Sequence, residues 1–268
     1  MFQEPEETSA LTQLVFKSND LIQKSRFSLS LPQQKIILYL ISKITPYDED
    51  FKLYEFSIQE FCKICGIDPE SGKNYGDLKK AIDEIGDKKI WIEIADDEET
   101  WIRWIEKPYL NKRNGIVKIR FDKDMKPYLL QLKESFTSYE LIWTLHFKRK
   151  YSIRLYELIK SIHFRELEEY SREYDLAYLR RVLGAENYDT WQRLKDRVLT
   201  PAVKEINAYS DKTVDITPIK KGKSVESVML TIKSKEWQET QQIRDQIIKE
   251  MGYEQMTLWD ELEERNLV

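Results

Sequence analysis

Leu194-Lys195-Asp196-Arg197-Val198-Leu199-Thr200-Pro201-Ala202-Val203-Lys204-Glu205-Ile206-Asn207 is the stretch that decides the fold. Together with Trp191, its apolar residues Leu194, Val198, Ala202 and Ile206 recur at helical spacing and trace one buried side. Pro201 lacks a backbone donor, so the helix is expected to kink or restart after Thr200. Beyond it, Val214 and Ile216, then Val228, Leu230 and Ile232, alternate as inward residues of two strands around the basic turn Lys220-Lys221-Gly222-Lys223. Upstream, Leu155, Leu158, Ile159 and Ile162 form one helical stripe, and Leu176, Leu179, Val182 and Leu183 a second that Gly184 stops. Three helices followed by a hairpin make a helix-turn-helix with a wing.

The segment from Leu31 to Phe121 follows nearly the same order. Ile36, Ile37, Leu40, Ile41 and Ile44 mark a first helix after Leu31-Pro32, and a short extended stretch near Leu53 to Phe56 follows. Ser57, with Glu60 three residues on, opens a second helix that ends near Gly66, and the loop Asp68 to Gly72 comes next. A third helix carries Leu78, Ala81, Ile82 and Ile85. The period then changes to two: Ile90, Ile92 and Ile94 form one strand, Thr100 to Ile105 returns as another, and Asp96-Asp97-Glu98-Glu99 is the tip. A third strand, Ile116 to Phe121, is expected to complete that sheet, and Lys123 to Lys150 to be helical for much of its length.

The 268 residues suffice for two domains of ordinary size. The expected division is an acidic leader at 1–13, a first winged-helix domain at 14–133, a second at 134–233, and an acidic helical tail at 234–268. The fold class is α+β, with two tandem winged-helix domains. No apolar run approaches the ~20 residues that cross a bilayer, and the N-terminus lacks the form of a secretory signal. Two cysteines, Cys62 and Cys65, suit a reducing cytosol and supply too few ligands for a structural zinc, because His146 and His163 lie far off in sequence. No metal, cofactor or catalytic centre is therefore expected. Gly66 to Lys73 has the wrong glycine spacing for a phosphate loop, and Asn74 stands where Ser or Thr should hold magnesium. A DNA-nicking enzyme would want a His-x-His pair, which the two histidines do not form.

The net charge of −4 averages over segments of opposite sign. Residues 1–133 carry 21 Lys+Arg against 23 Asp+Glu, residues 134–233 carry 18 against 15, and residues 234–268 carry 4 against 9. The basic middle segment is the one suited to phosphates. On the polar face of its third helix lie Thr190, Arg193, Arg197 and Lys204, side chains suited to base edges, and the wing adds Lys220, Lys221 and Lys223 for phosphates. Lys148, Arg149, Lys150 and Arg154 cluster at the start of the first helix as phosphate anchors, or equally as a solvated helix end. The first unit's DDEE tip would repel phosphates. That unit either touches DNA through Tyr75, Lys79, Lys80 and the turn Lys112-Arg113-Asn114, or mainly meets another protein.

Three stretches resemble the replication initiators of iteron-containing, theta-replicating bacterial plasmids: Tyr151 to Lys160 (YSIRLYELIK), Leu179 to Gly184 (LRRVLG), and the stretch quoted first. The opening Leu14 to Ile22 (LVFKSNDLI) is similar too, and the resemblance covers about residues 14–233. It implies two winged-helix domains, the second in the major groove of repeated origin sites and the first adding DNA contacts and dimerisation. It also implies monomers that start replication and dimers that repress the chain's own gene; a host helicase or initiator is a further expected partner. Arg193, Lys195 and Arg197 correspond to the family's recognition-helix region. A repressor without an initiator role is the alternative. In the tail, Trp237, Ile243, Ile247, Ile248 and Met251 form an expected apolar stripe ended by Gly252. Gln255-Met256-Thr257-Leu258-Trp259 resembles the peptide by which replication proteins dock on a polymerase sliding clamp, with Gln255, Leu258 and Trp259 as anchors.

Overall fold

The computed structural model describes residues 13–45, 48–65, 71–111, 113–162 and 168–251. The leader, the stop at Gly66, the loop at 66–70, Lys112, His163, the stop at Gly252 and the clamp-like residues Gln255, Leu258 and Trp259 lie outside them, as does the Glu60 side chain.

The chain opens with β1 (Leu14–Ser18), α1 (Asn19–Gln23) and β2 (Ser25–Phe27). α2 (Leu31–Ser42) starts where Pro32 costs nothing, and the Gln33 side chain accepts from the Ser30 N–H at 2.9 Å. It is buried from Gln33 to Ser42, because β1, α4, α6 and α7 pack around it. Then come β3 (Tyr54–Ser57), α3 (Ile58–Ile64), α4 (Gly72–Ile85), β4 (Lys89–Ala95), β5 (Glu98–Arg103), β6 (Tyr109–Asn111) and β7 (Ile116–Ile119). Leu78, Ala81, Ile82 and Ile85 are buried, as the helical period requires. Cys62 and Cys65 are buried as well, and burial pushes the Cys65 thiol up to about 12, so it is not a reactive thiolate at neutral pH.

The expected third strand does not join the wing. β7 pairs with β3 and β6 in a separate sheet, whereas the wing sheet runs β2-β4-β5. β2 pairs with β4 through Ser25↔Ile92 and Phe27↔Ile90 on the side away from β5, and just past β5 and β7 the chain makes the isolated bridge Ile105↔Phe121. A bulge between Glu93 and Ala95 also breaks the alternation, leaving Ile94 exposed rather than inward.

The connecting segment is likewise not mainly helical. It holds a 3-10 turn (Lys123–Met125), α5 (Lys126–Leu129), β8 (Phe136–Glu140) and α6 (Leu141–Leu145). β8 pairs antiparallel with β1, with Thr137 and Tyr139 inward, so a partner more than 100 residues away decides its conformation.

After these come α7 (Lys150–Lys160), β9 (Glu169–Asp175), α8 (Leu176–Leu183), α9 (Trp191–Leu194), a π turn (Lys195–Leu199), α10 (Thr200–Tyr209), β10 (Lys212–Lys221) and β11 (Ser224–Ser234). The buried residues are those the periodicity marked: Leu155, Leu158 and Ile159, then Leu179, Val182 and Leu183, then Leu194, Val198, Ala202 and Ile206. β9 is an addition that the sequence pattern concealed. Only Tyr170 and Tyr174 of Glu169–Asp175 are buried, and β9 pairs with β11 to make the wing sheet three-stranded.

One apolar core runs through both units, and α7 is its pivot. Lys17 of β1 reaches Glu157 of α7 at 2.6 Å, and the Tyr139 hydroxyl of β8 donates to the same carboxylate at 2.6 Å. Burial pushes the Lys17 amine down, and the Glu157 carboxylate works against that shift. Gly184 has φ +64, and a Cβ there would lie 2.9 Å from the Phe27 carbonyl oxygen, so glycine both ends α8 and lets β2 approach.

The tail helix, α11 (Trp237–Glu250), packs on α6 and α10 through Ile243 and Ile247. Trp237, at the first position of the helix, is 73% exposed and does not join the buried Ile243 and Ile247. Arg244 pairs with Glu140, and His146 Nε2 lies 3.2 Å from a Glu250 oxygen while its ring meets Tyr209 at 4.4 Å. Burial, then the nearby Lys148 charge, press the His146 imidazole down to about 4, against the pull of Glu250. The unfolded chain takes up this proton near pH 6.5 and the folded one only near 4, so folding stability falls as pH drops through that window. His146→Gln is expected to flatten the dependence of melting temperature on pH between 6.5 and 4. Identical pH profiles for the two proteins would exclude His146 as its source.

Candidate nucleic-acid interface

The helix from Trp191 to Tyr209 is set by its N-terminal loop. The Thr190 hydroxyl caps it, accepting from the Arg193 N–H at 3.3 Å. Arg180 of α8 donates to the Tyr188 and Asp189 carbonyl oxygens at 2.8 and 2.9 Å, which holds the loop between α8 and α9. Thr190 is thus a capping residue as well as an exposed one.

Arg193, Lys195, Arg197 and Lys204 are exposed on this helix, as are Gln192 and Thr200, which the charge pattern did not single out. Arg193 forms a 2.9 Å ion pair with Asp189, four residues before it. Both partners are more than half exposed, so the pair is weakly held and opens readily toward a ligand. Among the described residues no carboxylate pairs with Arg197. Gln192 donates to Asp196 at 2.6 Å, which places an amide and a carboxylate beside the two arginines.

β10 and β11 project together, and the turn at Gly222, with φ +65, has open space around it. Lys220, Lys221 and Lys223 are exposed there, with Lys221 3.6 Å from Glu226. Between the start of the long helix and this wing lies a groove of about 830 Å³, whose lining includes Arg180, Thr190, Gln192, Lys220 and Lys223. Asp175, Asp189 and Glu226 also reach it, so its charge is mixed and the cations concentrate at the wing edge.

The basic cluster ahead of α7 divides. Lys148 and Arg149 are exposed and Lys150 half-buried, with the Lys150 amine over the Tyr151 ring at 4.8 Å. Glu205 of α10 accepts from the Lys148 N–H and the Ser152 hydroxyl at 3.3 and 2.5 Å and lies 3.8 Å from Arg149. It supplies the negative charge that the N-terminus of α7 favours. Arg154 is no phosphate anchor, being 3% exposed. It donates to the Val182 carbonyl oxygen at 2.7 Å and to those of Ile22 and Ser25 at 3.4 and 3.3 Å, with Glu157 beside it and Phe27 beneath it. A residue at the fifth position of an amphipathic helix can face either way, and here the inward face meets carbonyl groups that need a donor.

In the first unit, Tyr75 is half-buried against the β6–β7 turn, where a Cβ on Gly115 would sit 3.0 Å from its hydroxyl. Lys79 is half-buried, and Lys80 is exposed with Glu84 at 3.9 Å. The first wing turns at Asp96 and Asp97, and Glu99 belongs to β5, where Arg26 holds it at 2.6 Å. Glu93 of β4 pairs with Arg181 of α8. This wing therefore engages β2 and the second unit, leaving Asp96, Asp97 and Glu98 as its free acidic edge.

The family described as Initiator Replication protein, WH1, matches residues 14–160, and its companion Initiator Rep protein, WH2, matches 175–232. The chain belongs to this initiator family. It is 27% identical over 227 residues to a replication initiation protein from Escherichia coli, a match covering 82% of this chain and 69% of that one. It also superposes on a crystal structure of Pi initiator protein in complex with iteron DNA with a TM-score of 0.69, at 20% identity, covering 84% of this chain and 99% of the other. The initiator fold is thus two winged-helix domains with a helical C-terminal region, and the family is one of DNA-binding replication initiators rather than of catalysts. Among the described residues of this initiator no helix is long and apolar enough to cross a membrane.

Proposed function

We propose that this initiator binds repeated origin sites of a plasmid through the Trp191–Tyr209 helix and the lysine wing of its second domain. The carrying observation is the exposed pair Arg193 and Arg197 on a capped, core-anchored helix, one groove away from Lys220 and Lys223. Arginines on such a helix offer two hydrogen bonds to guanine edges, and wing lysines neutralise phosphates. The first domain, with its acidic wing edge, serves assembly and auxiliary contacts through Lys79 and Lys80, with Tyr75 supporting the nearby turn. On this reading several bound copies deform the origin and recruit host replication proteins, while dimers repress the initiator's own gene.

The test is titration of the full chain against direct repeats of about 20 base pairs from the DNA flanking its gene. Preferential binding to the direct repeats supports the reading, whereas preference for one inverted repeat alone supports repression without initiation. Neutralising Lys220, Lys221 and Lys223 is expected to weaken binding to every sequence and to lower the log-log salt slope by about 0.9 for each lost phosphate contact. An unaltered slope would take the wing off the backbone.

A further inference from the structure

The long helix of the second unit is not a plain α-helix, and its irregularity lies between the two arginines and Lys204. Pro201 cannot donate to the Arg197 carbonyl, and its ring crowds that oxygen. The chain widens instead: Lys195–Leu199 form a π turn in which the Thr200 N–H reaches the Lys195 carbonyl, five residues back. Core leucines bracket this turn. Leu194 and Leu199 are both fully buried, yet five residues on an α-helix separate side chains by about 140°. A π turn stacks residues five apart and so returns Leu199 to the buried side.

The wide turn absorbs one residue. The helix before and after it keeps the relation it would have on an uninterrupted helix one residue shorter, so Arg193 and Lys204 stay where the core places them. Only the exposed residues within the turn, Lys195, Asp196 and Arg197, are displaced. Without Asp196, the apolar positions Trp191, Leu194, Leu199, Ala202 and Ile206 would follow one another at spacings of three, four, three and four, an ordinary amphipathic helix. The core does not require the additional residue, and its consequence is felt on the exposed side. Arg197 then follows Arg193 by four positions instead of three, and because the wide turn takes up the additional residue gradually, Arg197 is displaced around the axis by part of the ~100° that one α-helical residue spans.

We propose that the π turn, held open by Pro201, is a specificity device that sets which base edge Arg197 addresses beside Arg193, with Pro201 as a positioning residue. This rests on the helix being the DNA reader. π turns inside α-helices recur at functional sites because they re-aim side chains without breaking the helix.

The experiment selects preferred sites from DNA randomised across the repeat, using the full chain. The double change, deletion of Asp196 with Pro201→Ala, is expected to unfold cooperatively like the wild type. It should lose about tenfold or more of the base discrimination at one part of the repeat while keeping the rest. Asp196→Ala alone should keep the wild-type preference, which separates the turn from the carboxylate. The exchange Asp196→Arg with Arg197→Asp swaps two exposed side chains without altering chain length, and it decides the matter if the deletion does not fold. Loss of the same base preference supports the proposal, and retention of the wild-type preference overturns it. A wild type with no preference for the repeat would instead defeat the reading of the helix itself, so the two failures are distinct.

Discussion

Replacing Arg193 and Arg197 together by alanine is expected to abolish preference for the cognate repeat while leaving non-specific binding through the wing largely intact. Each well-placed arginine contributes about 1 to 3 kcal/mol of discrimination, so the pair together accounts for about 2 to 6 kcal/mol, the greater part of what separates cognate from random DNA in many modules. Arg193 must first leave Asp189, which costs little because both groups face water. Neither arginine contributes to the core, so the variant should melt as the wild type does. A competition gel shift at fixed salt measures the effect. Undiminished discrimination would move the reading surface elsewhere on the chain.

Arg154 is expected to show the opposite behaviour. Arg154→Ala leaves the carbonyl groups of Val182, Ile22 and Ser25 without their shared donor and removes the cation next to Glu157. Loss of one member of a buried charged network costs about 3 to 5 kcal/mol, on the order of 10 °C in melting temperature for a protein of this size. These bonds join α1 and β2 to α7 and α8, so both domains should soften together in a urea titration. DNA affinity, corrected for the folded fraction, should stay near the wild-type value. A well-folded variant with a reduced salt slope would reinstate Arg154 as a phosphate contact.

Lys17, Glu157 and Tyr139 form a buried polar cluster within residues 14–160, and Arg154 carries it across to Val182 in the second winged-helix segment. Their charges are buried among apolar side chains, where they do little for net stability but accept few alternative arrangements. Gly184 and the Glu93–Arg181 pair hold the first wing's sheet against the second domain, while its acidic tip faces solvent. The repeated three-helix-and-hairpin order thus conceals a difference in use: one hairpin helps to join the domains and the other is left free.

Whatever depends on local period and backbone chemistry is legible in the order of residues alone. The buried stripes of α4, α7, α8 and α10 follow from helical spacing, the stop at Gly184 from its freedom to adopt positive φ, and the irregularity before Pro201 from a missing N–H. The exposed arginines of the long helix and the lysines of the wing were legible because they oppose apolar stripes. What depends on a distant partner emerges from packing. β8 is a strand because β1 lies beside it, β7 leaves the wing to pair with β3 and β6, and β9 joins β11 despite a mostly charged sequence. Packing also decided that Arg154 turns inward to carbonyl groups from three elements while Trp237 turns out. A side chain's spacing sets which face of a helix it occupies, but whether that face meets water or another element is settled by packing between residues far apart in the chain.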